Sequence, residues 1–168
     1  MGGKGNVVIM LGELAHSGTR GRTAGVKEVL AQYPDINVLD EQTALFQRDK
    51  ALDLMSNWLL AGLEINAVAA NNDEMALGAI LAMQNAGLTP NEDIFVGGVD
   101  ATPDALDSMV KGELTVTVFQ NARGQGKGAI EAAYKMARGE AVDANVWIPF
   151  EPVTEDNYPD YRKKLGLD

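Results

Sequence analysis

Residues 67–83, AVAANNDEMALGAILAM, decide the architecture. The first four are a short uncharged run of the kind that forms a strand buried on both faces, and Met75, Leu77, Ala79, Ile80 and Met83 then recur at helical spacing. Between them stand Asn71, Asn72 and Asp73, so the spacing predicts strand, polar turn, helix. Asp73 or Asn72 can cap the helix by accepting from its free amides, which leaves the other Asn side chains at the carboxyl end of the strand, where open α/β sheets bind ligands. A side-chain amide both donates and accepts, and so suits a neutral polyol better than a phosphate or a metal.

Working outward, the same unit repeats. NVVIML (6–11) is a β-branched apolar run; a loop at 12–18 holds the only His, and a helix is expected from 19 to 32 with Val26, Val29 and Leu30 buried. A second strand is expected at 36–39, a loop at 40–46, and a helix at 49–61 with Leu52, Met55, Leu59 and Leu60 on one side and Gly62 just past its end. After the central unit come strand 94–99, a helix at 103–110 with Pro103 in its first turn, strand 114–119 and a helix at 126–138. Residues 142–153 read as extended chain broken by Pro149 and Pro152, and 157–165 as a polar tail. Five strands each followed by a helix imply a parallel sheet with right-handed crossovers: α/β, a three-layer sandwich with a mainly parallel five-stranded sheet, flavodoxin-like. The stretch after Gln120 has no further strand-helix unit to pack it, so it covers a sheet edge or belongs against something else.

Composition narrows the function classes. The 168 residues suit one domain with an adequate core, and a formal net charge of -10 with scattered cations argues against nucleic acid as a partner. With no Cys there is no disulfide, thiolate metal site or cysteine nucleophile. No apolar run approaches the roughly 18 residues of a membrane span. The opening Met1-Gly2-Gly3-Lys4-Gly5 has no apolar core of a signal peptide, so no export signal is expected in this sequence. GQGKG (124–128) lacks the leading Gly and the Ser or Thr of a phosphate loop, and Asp100 lacks the acidic pair of a magnesium-dependent receiver site.

The strand ends bring a consistent chemistry to one rim. Arg20 is a fork donor, Phe46 a planar aromatic, Asn72 and Gln120 are amides, and Asp100 is a carboxylate. Arg and Asp each engage two adjacent hydroxyls, an aromatic ring covers the C–H face of a sugar, and no nucleophile-plus-base pair accompanies them. His16 is a candidate ligand neighbour. No cofactor is implied and no metal site.

SGTRGRTAGV (17–26), ALFQRDKAL (44–52), NNDEMALGAI (71–80), VGGVDATPDAL (96–106) and VTVFQ (116–120), in this order and spacing, resemble the ribose, allose and inositol type of periplasmic sugar-binding protein, the solute-binding component of an ABC-type uptake system. The likeness covers nearly the whole chain but only the carboxyl-terminal lobe of that family. It implies that residues 1–168 form a single lobe, that Arg20, Phe46, Asn72, Asp100 and Gln120 contact a monosaccharide or cyclic polyol, and that residues 121–147 pack on an amino-terminal lobe. It further implies hinge closure of two lobes, a membrane permease as partner, self-association through the exposed inter-lobe surface, no enzymatic activity, and a periplasmic location for the full-length parent. The family usually has a Ser- or Ala-rich loop after strand 1; Glu13-Leu14-Ala15-His16 here leaves room for a polyol other than ribose. The alternative is the effector-binding core of a sugar-responsive transcription repressor, which shares the fold.

Overall fold

The computed structural model describes residues 1–167. In chain order these form β1 (Lys4–Leu11), α1 (Ser17–Leu30), β2 (Asp35–Thr43), α2 (Arg48–Leu60), β3 (Ala67–Ala70), α3 (Asp73–Asn85), β4 (Phe95–Gly97), α4 (Pro103–Val110), β5 (Thr117–Gln120), α5 (Ala122–Ala137), β6 (Phe150–Val153) and α6 (Tyr158–Leu165). Four strands pair in parallel in the order β2-β1-β3-β4. β5 continues beside β4 through parallel bridges at Gly97–Val116 and Asp100–Phe119, and the amides of Gly98 and Asp100 donate to the carbonyls of Val116 and Val118. The sheet order therefore reverses between β1 and β3, which places a crevice at the carboxyl ends of those strands. β6 adds an antiparallel strand to β5.

The central stretch folds as its pattern requires. On one face of the sheet Val8, Met10, Val68, Ala70 and Val96 meet Met55 and Trp58 of α2 and Met75, Ala79 and Met83 of α3 in one buried cluster. Val7 and Ile9 are buried on the opposite face. That side is only partly filled: α1 flanks an open groove of about 880 Å³ whose walls include Val26, Leu30, Ala69, Val99, Val116 and Val118. The three layers are present, but the two outer ones are unequal.

Several sequence expectations shift. β2 runs to Thr43 instead of ending at Leu39, because parallel pairing with β1 continues to the partners Leu11 and Thr43. Val29 and Leu60 are exposed, while Trp58 takes the buried place in α2. The polar tail is helical: Pro159 sits in the first turn of α6, Gly166 closes it in the left-handed conformation, and Tyr161 packs its ring 5.3 Å from that of Phe119. Arg162 pairs with Asp107 of α4. One aromatic anchor on a two-turn helix leaves little periodicity to read. α5 starts at Ala122, four residues before the expected 126, because the Asn121 side chain accepts from the Gly124 amide and caps it. None of its residues is buried, and Ile130, Tyr134 and Met136 stand 72%, 63% and 66% exposed. Its apolar side thus contributes nothing to this core.

Met55 is fully buried between α2 and α3, so Met55→Ala is expected to cost about 2–5 kcal/mol, whereas Ile130→Ala on α5 changes stability by no more than about 0.5 kcal/mol. Urea unfolding of the two variants measures the contrast.

Candidate functional site

The carboxyl ends of β1, β3, β4 and β5 meet the amino-terminal turns of α1 and α3 at the reversal point. There the guanidinium of Arg22 makes three contacts: Nη1 donates to the Asn71 carbonyl at 2.6 Å, and Nη2 donates to Asp100 Oδ1 at 3.2 Å and to Gln120 Oε1 at 3.0 Å. One side chain from α1 therefore ties together the ends of β3, β4 and β5. The ion pair is sheltered, with the side chains of Arg22 and Asp100 21% and 27% exposed. Burial holds the Asp100 carboxyl above its ordinary range, and Arg22 offsets only part of that while Glu74 adds to it. Asp100 Oδ2 and Gln120 Nε2 have no hydrogen-bond partner among the described residues. The cluster is thus ordered internally and still presents an acceptor and a donor.

Arg22, not Arg20, occupies this position. Arg20 is exposed and donates to the Ala15 carbonyl at 2.7 Å. Two residues correspond to about 200° of helix rotation, so the two arginines leave α1 on opposite sides. The sequence did carry a signal: Thr19, Arg22, Thr23, Val26 and Leu30 follow helical spacing and are the shielded positions of α1. The structure starts α1 at Ser17, two residues before the expected 19, and turns Val29 to solvent.

A second group lies beside the first. Leu45 and Phe46 both adopt left-handed backbone (φ 57° and 62°), which turns the Phe46 ring back over β1. A Cβ on Gly12 would stand 2.0 Å from that ring, so only glycine permits the approach. His16 meets the ring edge-on with centroids 5.4 Å apart, and its Nδ1 accepts from the Gly18 amide to cap α1. Asn72 caps α3 by accepting from Met75 and donates to the Phe46 carbonyl at 3.4 Å. Both ends of its amide are engaged inside the protein. Asn71, one of the three polar turn residues after β3, is the buried hub: its Oδ1 accepts from the Gly12 amide and from Thr23, joining the end of β1, α1 and the end of β3. The structure therefore brings Asp100 and Gln120 together through Arg22, and groups Phe46, Asn72 and His16 next to them.

A family model described as periplasmic binding protein domain matches residues 1–141. The chain belongs to that family. Among curated relatives of this binding-protein domain, a putative rhizopine-binding protein of Rhizobium meliloti is 51% identical over 96% of the chain and 53% of its own length. The ribose import binding protein of Escherichia coli is 41% identical over 91% of the chain and 51% of its own length. A solved ABC transporter solute binding protein from Bacillus halodurans with bound myo-inositol superimposes with a TM-score of 0.92 at 46% identity, covering 97% of this chain and 56% of that one. The chain spans about half the length of the relatives it matches. These relatives are binding proteins, and the fold is the parallel α/β layer arrangement they share.

Removing Arg22 leaves the sheltered Asp100 carboxylate without its cation. Arg22→Met is expected to cost roughly 1–3 kcal/mol and to raise the Asp100 pKa further, while Arg20→Met stays within about 0.5 kcal/mol. Denaturant titration together with carboxyl NMR of Asp100 compares the two.

Proposed function

We propose that this chain is one lobe of a sugar-uptake binding protein, and that its rim recognises a cyclic polyol or monosaccharide through Arg22, Asp100 and Gln120. The observation that carries the reading is the preorganised cluster itself: a guanidinium held by a carboxylate and an amide, with an oxygen and an amide nitrogen left over. A ring bearing adjacent hydroxyls needs both an acceptor and a donor at that spacing, and neutral hydroxyls do not demand the fixed positive field a phosphate would. Phe46, Asn72 and His16 supply an aromatic wall and its support. Binding proceeds without bond making. The roles of the relatives, a ribose import binding protein and an ABC transporter solute binding protein, favour uptake over the repressor reading.

In this account a second lobe completes the site. α5 and residues 121–147, with their exposed apolar side, pack on that lobe, and ligand contacts from both lobes favour the closed state by the difference in affinity between the two states. The full-length parent acts in the periplasm and delivers its ligand to a membrane permease. Alone, the exposed α5 face drives weak self-association.

Half a site gives weak binding. Calorimetry with myo-inositol and ribose is expected to yield dissociation constants no tighter than about 1 mM, equivalent to roughly -4 kcal/mol. Micromolar affinity for either of them would overturn the half-site account.

A further inference from the structure

Behind Asp100 lies a carboxylate that cannot reach a ligand. Asp73, the first residue of α3, is fully buried. Its Oδ1 accepts from the Thr117 hydroxyl of β5 at 2.6 Å and its Oδ2 from the Thr102 amide at 2.8 Å. The Thr117 hydroxyl oxygen in turn accepts from the Ala101 amide at 3.2 Å, and the amide of Asp73 donates to the Val99 carbonyl at 2.8 Å. Residues 99, 101 and 102 are thus all fastened, directly or through one hydroxyl, to Asp73.

The residue so enclosed is Asp100. Asp100 and Ala101 both have positive φ, 126° and 53°, a region L-residues avoid and keep only where the surroundings over-determine it. Room for the carboxylate comes from Gly98, where a Cβ would stand 2.3 Å from Asp73 Oδ1. An amide would serve less well here, since Asn offers one acceptor and one donor where two donors converge. No cation pairs with Asp73 among the described residues. The charged group facing it across the turn is Asp100, itself paired with Arg22, and Glu74 on its own helix is paired with Arg48.

We propose that Asp73 is a positioning residue: its buried carboxylate clamps the strained turn at 100–101 and so aims Asp100 at Arg22 and at the ligand. The importance of that aim for binding rests on the function proposed above, but the clamp itself is testable without ligand. Burial pushes the Asp73 carboxyl up to about 6, with Asp100 adding to the shift and the hydrogen bonds from Thr117 and Thr102 opposing it. Protonation near that pH therefore weakens the acceptor that holds the Thr102 amide.

Carboxyl and amide NMR of the full chain, recorded from pH 4.5 to 8 without added polyol, tests this. In the unsubstituted protein the Thr102 amide is expected to show an inflection near pH 6, and Asp73→Asn removes it. In Asp73→Ala the Asp100 carboxyl is expected to change its titration as it leaves Arg22, and the Ala101 amide to exchange with solvent at least tenfold faster. An Asp73→Ala protein that folds with Asp100 unchanged would overturn the proposal. If that variant does not fold, an inflection near pH 6 that persists at Thr102 in Asp73→Asn would overturn it instead. Failure of polyol binding alters none of these signals, so the two readings fail separately.

Discussion

The guanidinium of Arg22 is the contact on which the rim depends. A parallel sheet delivers the ends of β3, β4 and β5 to one edge and joins them through backbone bonds, as from the Asp73 amide to the Val99 carbonyl and from the Gln120 amide to the Asp100 carbonyl, but the side chains of Asp100 and Gln120 find their partner among the described residues in Arg22. Arg22 reaches all three from the first turns of α1, through the Asn71 carbonyl, Asp100 and Gln120. A guanidinium sheltered from water needs acceptors for its donors, and the two side chains and one carbonyl provide them. The same acceptors leave valences directed outward. In the function proposed above, structural order and recognition come from one set of hydrogen bonds.

Below that rim the polar groups are graded by depth. Asp100 is part-sheltered and paired; Asn71 is buried and fully engaged; Asp73 is buried and holds the backbone that carries Asp100. Both aspartates have carboxyls above their ordinary range because burial outweighs what stabilises the charge. For such groups the folded state retains protons that the unfolded chain has released, so their contribution to stability falls as pH rises from about 4 through the folded value, near 6 for Asp73.

Much of this was legible in the residues. The switch of hydrophobic period at 70–75 fixed β3 and α3 to the residue at the strand, and Pro103 marked the start of α4, because caps and period changes act locally. The rim was legible as a set of strand ends, and Asp100 and Gln120 do meet. What the strand-end pattern does not give is rotation: Arg20 and Arg22 stand two residues apart on α1, and only the fold shows that Arg22 meets Asp100 and Gln120 while Arg20 bonds the Ala15 carbonyl. The hub role of Asn71 and the clamp of Asp73 were hidden for a different reason, since their partners Gly12, Thr23, Thr102 and Thr117 lie 29 to 59 positions away in sequence. α6 was hidden because its only buried residue is Tyr161.

The unequal outer layers and the uncovered α5 describe a chain whose apolar surface is not fully used within itself, in keeping with relatives twice as long. The most direct test of the central claim is an NMR titration of the isotope-labelled chain with myo-inositol at concentrations well above millimolar. The account predicts that the side-chain signals of Arg22, Asp100 and Gln120 shift together along one saturating curve while Arg20 stays in place. Shifts that spare those three residues, or that fall on Arg20 and leave Arg22 unmoved, would contradict it.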